Sequence, residues 1–115
     1  MFSAYVRNDD LRIYAGDDRP ITWPLSAASG GPADLTNHTA RAQVRATPDA
    51  PDVLHEWSSA LGNVLLEGSA VSLLVDGAET WDWTDGVYDL HLIDSVGRHE
   101  ILAWGRVTVL PGVTR

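Results

Sequence analysis

At 115 residues, with 44% hydrophobic and 21% charged residues, the chain is long enough for one folded core and too apolar for a disordered segment. Its formal net charge of −8, with eight arginines and no lysine, opposes binding to a phosphate backbone, which needs a basic stripe. The absence of cysteine excludes a disulfide framework, a thiolate metal site and a thiol nucleophile.

The first residues, Met1-Phe2-Ser3-Ala4-Tyr5-Val6-Arg7, hold no basic stretch followed by an apolar one. They read as carrying no signal peptide, with folding expected in a cytosol. The longest apolar runs are only a few residues, such as Val64-Leu65-Leu66, so no membrane segment is expected. Turn residues then recur at short intervals, the rhythm of a single all-β domain over residues 1–115. Leu11-Arg12-Ile13-Tyr14 alternates as a half-buried strand does, and ends on the turn Ala15-Gly16-Asp17-Asp18. Ile21 to Leu25 alternates too. Pro24 has no N–H to give a ladder, which places this strand at an edge or a bulge. From His38 to Ala46 the alternation is clearest, with Ala40, Ala42, Val44 and Ala46 on one face and Arg41, Gln43 and Arg45 on the other. Alanines on a buried face leave room for a bulky group opposite, and tryptophan fits. Val53 to Trp57, Val64 to Leu66 and Ala70 to Val75 follow as short strands.

Asp76 to Gly86 reads as a crossing between sheets, with one short helical turn near 78–82 and Trp81 or Trp83 plugging the end of the core. The last two strands form a hairpin around Asp94-Ser95-Val96-Gly97, with Gly97 in the left-handed conformation. Pairing Leu90 with Ile101 sends Tyr88, Leu90 and Leu92 inward against Ile101, Ala103, Gly105 and Val107. The same register sends Ile93, Leu102, Trp104 and Arg106 outward and sets His91 opposite Glu100. The fold class is therefore an antiparallel β-sandwich of about seven to eight strands. An outward tryptophan beside apolar neighbours and an arginine is the composition of a protein interface, so Ile93, Leu102, Trp104 and Arg106 are the candidate interface residues.

Four stretches resemble the small Ig-like sandwich modules of phage and prophage tails, such as minor tail proteins and the N-terminal module of baseplate upper proteins. They are the opening Leu11-Arg12-Ile13-Tyr14-Ala15-Gly16-Asp17-Asp18, the Asp34-Leu35-Thr36 leading into the strand through Arg45, Glu79-Thr80-Trp81-Asp82-Trp83 running into Gly86-Val87-Tyr88-Asp89-Leu90, and the closing Gly105-Arg106-Val107-Thr108-Val109. The resemblance implies a structural virion protein of a tail tip, baseplate or minor tail. Such a protein is made and folded in the host cytoplasm and binds other tail proteins in many copies within a symmetric assembly. Many such modules continue into a coiled coil, fibre or receptor-binding head. This sequence ends at Arg115, soon after its last strand, so the expectation is an assembly component.

Other chemistry is weaker in the sequence. Four histidines are present (His38, His55, His91 and His99), but no Gly-x-Ser-x-Gly elbow and no phosphate loop, so no catalytic residues, no cofactor and no enzyme activity are expected. Asp9-Asp10, Asp17-Asp18, Asp49 and Asp52 supply oxygens of the type calcium takes, yet aspartate ordinarily caps turns, and no metal site is expected. Trp23, Trp57, Trp81, Trp83 and Trp104 leave a second reading open, a host-surface adhesin that stacks cell-wall sugar on tryptophan.

Overall fold

Residues 7–27 and 29–115 are described by the computed structural model; the reading of residues 1–6 lies outside them. In chain order the elements are β1 (Arg7–Asn8), β2 (Leu11–Tyr14), β3 (Ile21–Pro24), β4 (Thr39–Arg45), β5 (His55–Ser58), β6 (Val64–Glu67), β7 (Ala70–Leu73), a 3-10 turn (Gly77–Asp82), β8 (Gly86–Ile93) and β9 (His99–Leu110). One sheet runs β1-β9-β8-β4-β5, with β2 also on β9; the other runs β3-β7-β6. The protein is an Ig-like β-sandwich. No helix among the described residues is long and apolar enough to cross a membrane.

Nine strands form among the described residues, against an expected seven to eight, and not all are antiparallel. β1 and β2 run parallel to β9. β1 has only two residues, too few for any alternation to show. No tight turn joins these strands to β9, so nothing in the local sequence dictates their direction.

The two sheets face each other over a core led by Trp57, Val71, Leu73, Leu90 and Ala103, all without solvent exposure. The small side chains of β4 explain how Trp57 fits. Ala42 lies directly across from it in the ladder, and Ala40 and Ala42 are buried while Ala46 is exposed. Two tryptophans also tie sheet to sheet through hydrogen bonds. Trp57 Nε1 donates to the Leu74 carbonyl at 2.8 Å, and Trp23 Nε1 on β3 donates to Asp9 Oδ2 at 2.8 Å. Buried indole N–H groups need such partners, since an unpaired one costs roughly 1–3 kcal/mol. Pro24 stands on β3, an edge strand, as its missing donor requires.

The expected helical turn is the 3-10 turn. Asp76 caps it by accepting from Ala78 N at 3.1 Å. Thr80 is buried, accepts from Gly16 N and donates to the Gly77 carbonyl, both at 2.7 Å. Gly77 N donates to Asp18 Oδ1 at 2.7 Å, and a Cβ on Gly77 would stand 2.6 Å from the Gly16 carbonyl oxygen. The turn is thus bolted to the Gly-Asp turn after β2. Trp83 packs against the core from this end, with its ring 5.7 Å from Trp57.

Candidate interaction face

The register of β8 and β9 decides what the outer face of the large sheet presents. Ile93 pairs with His99 and His91 with Ile101, but Leu90 pairs with Ala103, so Leu102 is an extra residue in β9. This bulge shifts the phase of the strand once. Below it the expected faces are found: Tyr88, Leu90, Ala103 and Val107 are buried, and Asp89, Trp104 and Arg106 point outward. Above it they swap. Leu102 is 3% exposed and belongs to the core, which corrects its assignment to the interface; Ile101, 43% exposed, takes the outward place. Ile93 is half-buried and keeps its outward side. His91 does not face Glu100, which pairs with Leu92.

The N-terminal strand holds Trp104 in place. Asp9 N donates to the Trp104 carbonyl at 2.8 Å, and the Asp9 carbonyl accepts from the Tyr88 hydroxyl at 2.5 Å. Burial, and the carboxylates of Asp9 and Asp10, push the Tyr88 hydroxyl well above the ordinary tyrosine range, so it stays a donor. Asp10 Oδ1 accepts from Arg106 N at 2.9 Å. The chain passes so close here that a Cβ on Gly105 would meet Asp10 Oδ1 at 2.7 Å. Glycine at 105 lets β1 give way to β2 against β9 between two outward side chains, Trp104 and Arg106.

Around Trp104, 47% exposed, the face forms an open concavity of about 840 Å³ lined by Asn8, Asp10, Arg45, Asp89, His91 and Arg106, among others. A polar chain fixes its far side. Arg41 and Gln43 both reach Glu56 Oε1, at 3.0 and 2.6 Å, and these bonds hold that carboxyl below its usual range. Arg45 donates to Gln43 Oε1 at 2.9 Å and to the Ala50 carbonyl at 2.8 Å.

No family model matches the chain, and neither does any curated protein. Among solved structures, Drosophila OTK extracellular domains 3–5 align with 98% of this chain and 36% of that one, at 13% identity and a TM-score of 0.41. The chain spans about a third of that structure, and a likeness this distant carries nothing about function.

The open edges of the sandwich differ from one another. On β5 the side chain of Asn63 stands in for a neighbouring strand: Oδ1 accepts from Ser58 N at 2.8 Å and Nδ2 donates to the Glu56 carbonyl at 3.0 Å. That edge is capped at these two positions, which an alternation pattern does not reveal. We expect Asn63→Ala to lower the unfolding free energy by about 1–3 kcal/mol, two bonds being lost at a part-buried edge. It should also expose a template for strand pairing. Chemical denaturation and light scattering read the two effects.

Of the six aspartates weighed for calcium, Asp10, Asp17 and Asp18 accept from backbone N–H groups and Asp9 from the Trp23 indole. Among the described residues no group of three or more His, Asp or Glu side chains is disposed around a metal position. His55 and Glu56 point to opposite sides of β5. Glu56 joins the outer network, while the His55 ring lies between Trp57 and Trp83, 4.4 and 3.9 Å from their centroids. Burial lowers the pKa of His55 below its ordinary value, against a smaller opposing pull from Glu56. The folded state therefore favours neutral imidazole. Its contribution is complete above the unfolded value of about 6.5 and fades as pH falls below it. Melting temperature should decline from pH 7 toward 5, and His55→Phe should flatten that limb.

Proposed function

We propose that this domain is an assembly module. It docks a neighbouring protein on the outer face of the large sheet, centred on Trp104, as a multi-copy component of a phage tail tip, baseplate or minor tail. The observation that carries the reading is a half-exposed tryptophan, on a strand paired from both sides, in an open, polar-rimmed concavity, the arrangement of an interface anchor. Of the arginines on this face, Arg41 is paired with Glu56, while Arg45 and Arg106 stand at the concavity and can meet an acidic partner. The phage setting rests on the sequence resemblance. Quantitative mass spectrometry of purified particles from the source genome tests it: the protein should be present at a fixed ratio to the tail-tube subunit. Its absence from particles that carry a full tail would contradict the proposal.

A second reading has an observation of its own. Asp89 lies beside Trp104 in the ladder and Arg106 follows on the same face, which gives a stacking ring with polar groups at its rim, as sugar-binding surfaces have. Binding of the isolated domain to host cell-wall fragments, lost in Trp104→Ala, would favour this adhesin reading. Flat titrations would remove it.

A further inference from the structure

On the upper outer face, where the bulge has turned Ile101 outward, the rings of His91 and His99 meet across the β8–β9 ladder. Their Nδ1 atoms are 3.0 Å apart and the ring centroids 5.2 Å apart at 86°. His91 Nε2 lies 3.1 Å from Asp89 Oδ1. That carboxylate accepts only from an Nε2–H, so it fixes the His91 tautomer and leaves Nδ1 as a bare lone pair. The contact at 3.0 Å is then a hydrogen bond in which the Nδ1–H of His99 donates to the Nδ1 lone pair of His91.

We propose that His91 and His99 form a two-imidazole site for a transition-metal dication of the Cu²⁺, Ni²⁺ and Zn²⁺ class. At metal–nitrogen distances of roughly 2.0–2.1 Å, neighbouring ligands about 90–110° apart are separated by roughly 2.9–3.4 Å. The observed 3.0 Å lies inside that window, so the two Nδ1 atoms already have the spacing of neighbouring ligands on one ion. The His99 proton moves to its Nε2 as the metal takes its place, and no net proton is exchanged. Asp89 plays the part that carboxylates play behind ligating histidines, orienting the ring from its far nitrogen. The guanidinium of Arg41, opposite His91 on β4, is held by Glu56 at 3.0 Å and its charge is offset there. The pair opens onto a depression of about 320 Å³ shared with Arg41, Gln43, Arg45 and Asp89. Remaining coordination positions go to water, since among the described residues no third His, Asp or Glu converges with the two rings. Imidazole ligands select the borderline ions over Ca²⁺ and Mg²⁺, and affinity should follow Cu²⁺ above Ni²⁺ and Zn²⁺. The site stands independently of the assembly reading.

The test is titration of the full-length, tag-free protein with CuCl₂, ZnCl₂ and CaCl₂ by calorimetry, with electron paramagnetic resonance of the Cu²⁺ form. One Cu²⁺ per chain should bind, with hyperfine structure from two imidazole nitrogens and no Ca²⁺ uptake. His91→Ala and His99→Ala should each weaken binding by more than the ~10–100-fold typical of second-shell changes, Asp89→Asn should fall within that range, and His38→Ala should bind like the parent. Unchanged Cu²⁺ affinity in His91→Ala or His99→Ala, or a spectrum without two nitrogens, would overturn the assignment. Circular dichroism of each variant separates loss of the site from loss of the fold.

Discussion

Replacing Trp57 with alanine should lower the unfolding free energy by about 3–5 kcal/mol, the range for a buried tryptophan. Four losses combine. The side chain has no solvent exposure, so its whole apolar surface returns to water on unfolding. Its cross-strand neighbour is Ala42, which cannot expand into the space left behind. The Leu74 carbonyl loses the indole N–H that links the two sheets. His55 and Trp83, both packed edge-to-face against this ring, lose their support together. With a total stability of roughly 5–15 kcal/mol in such domains, the variant becomes marginal, and its melting temperature should fall by roughly 15–30 °C. Calorimetry checks this. A fall of only a few degrees would mean that the core closes over the gap, contrary to the rigid packing described.

Trp57 also shows how much was legible beforehand. The alanines of β4 announce a bulky neighbour, and the neighbour is there. Alternation places the seven strands β2 to β8 within about two residues of their ends, and Gly97 adopts the positive φ of 87° that the hairpin loop calls for. Three features escape this reading, each for a physical reason. β1 is two residues long and held by β9, a partner nearly a hundred residues away, so no local pattern encodes it. The cap on β5 depends on one amide reaching two backbone groups. The bulge at Leu102 changes the phase of a strand in its middle. Its one local sign is Ile101-Leu102-Ala103-Trp104, four apolar residues in a row where strict alternation would interleave polar ones. Misreading that run exchanges Leu102 for Ile101 on the outer face, yet leaves Trp104 and Arg106 where alternation puts them. The histidine pair is hidden by the same slip, because a uniform register sets His91 opposite Glu100.

Trp104→Asp should lower the unfolding free energy by about 1–3 kcal/mol, leaving the domain folded, and should remove docking. The side chain makes no hydrogen bond that the core needs; it is the Trp104 backbone carbonyl that receives Asp9 N. A carboxylate at 104 would stand beside Asp89, its ladder partner, and would turn an apolar anchor facing an acidic partner into a repulsive one. Truncating central aromatic anchors commonly costs 2 kcal/mol or more, about thirtyfold in affinity, and the added repulsion increases that loss. Leu65→Asp on β6 is the matched control, since Leu65 is 43% exposed on the other sheet.

The decisive measurement is the copy number of each variant in purified particles, with both proteins shown to be folded by circular dichroism. The account predicts normal stoichiometry for Leu65→Asp and near-complete loss for Trp104→Asp. Trp104→Asp retained at the parent's copy number would contradict it.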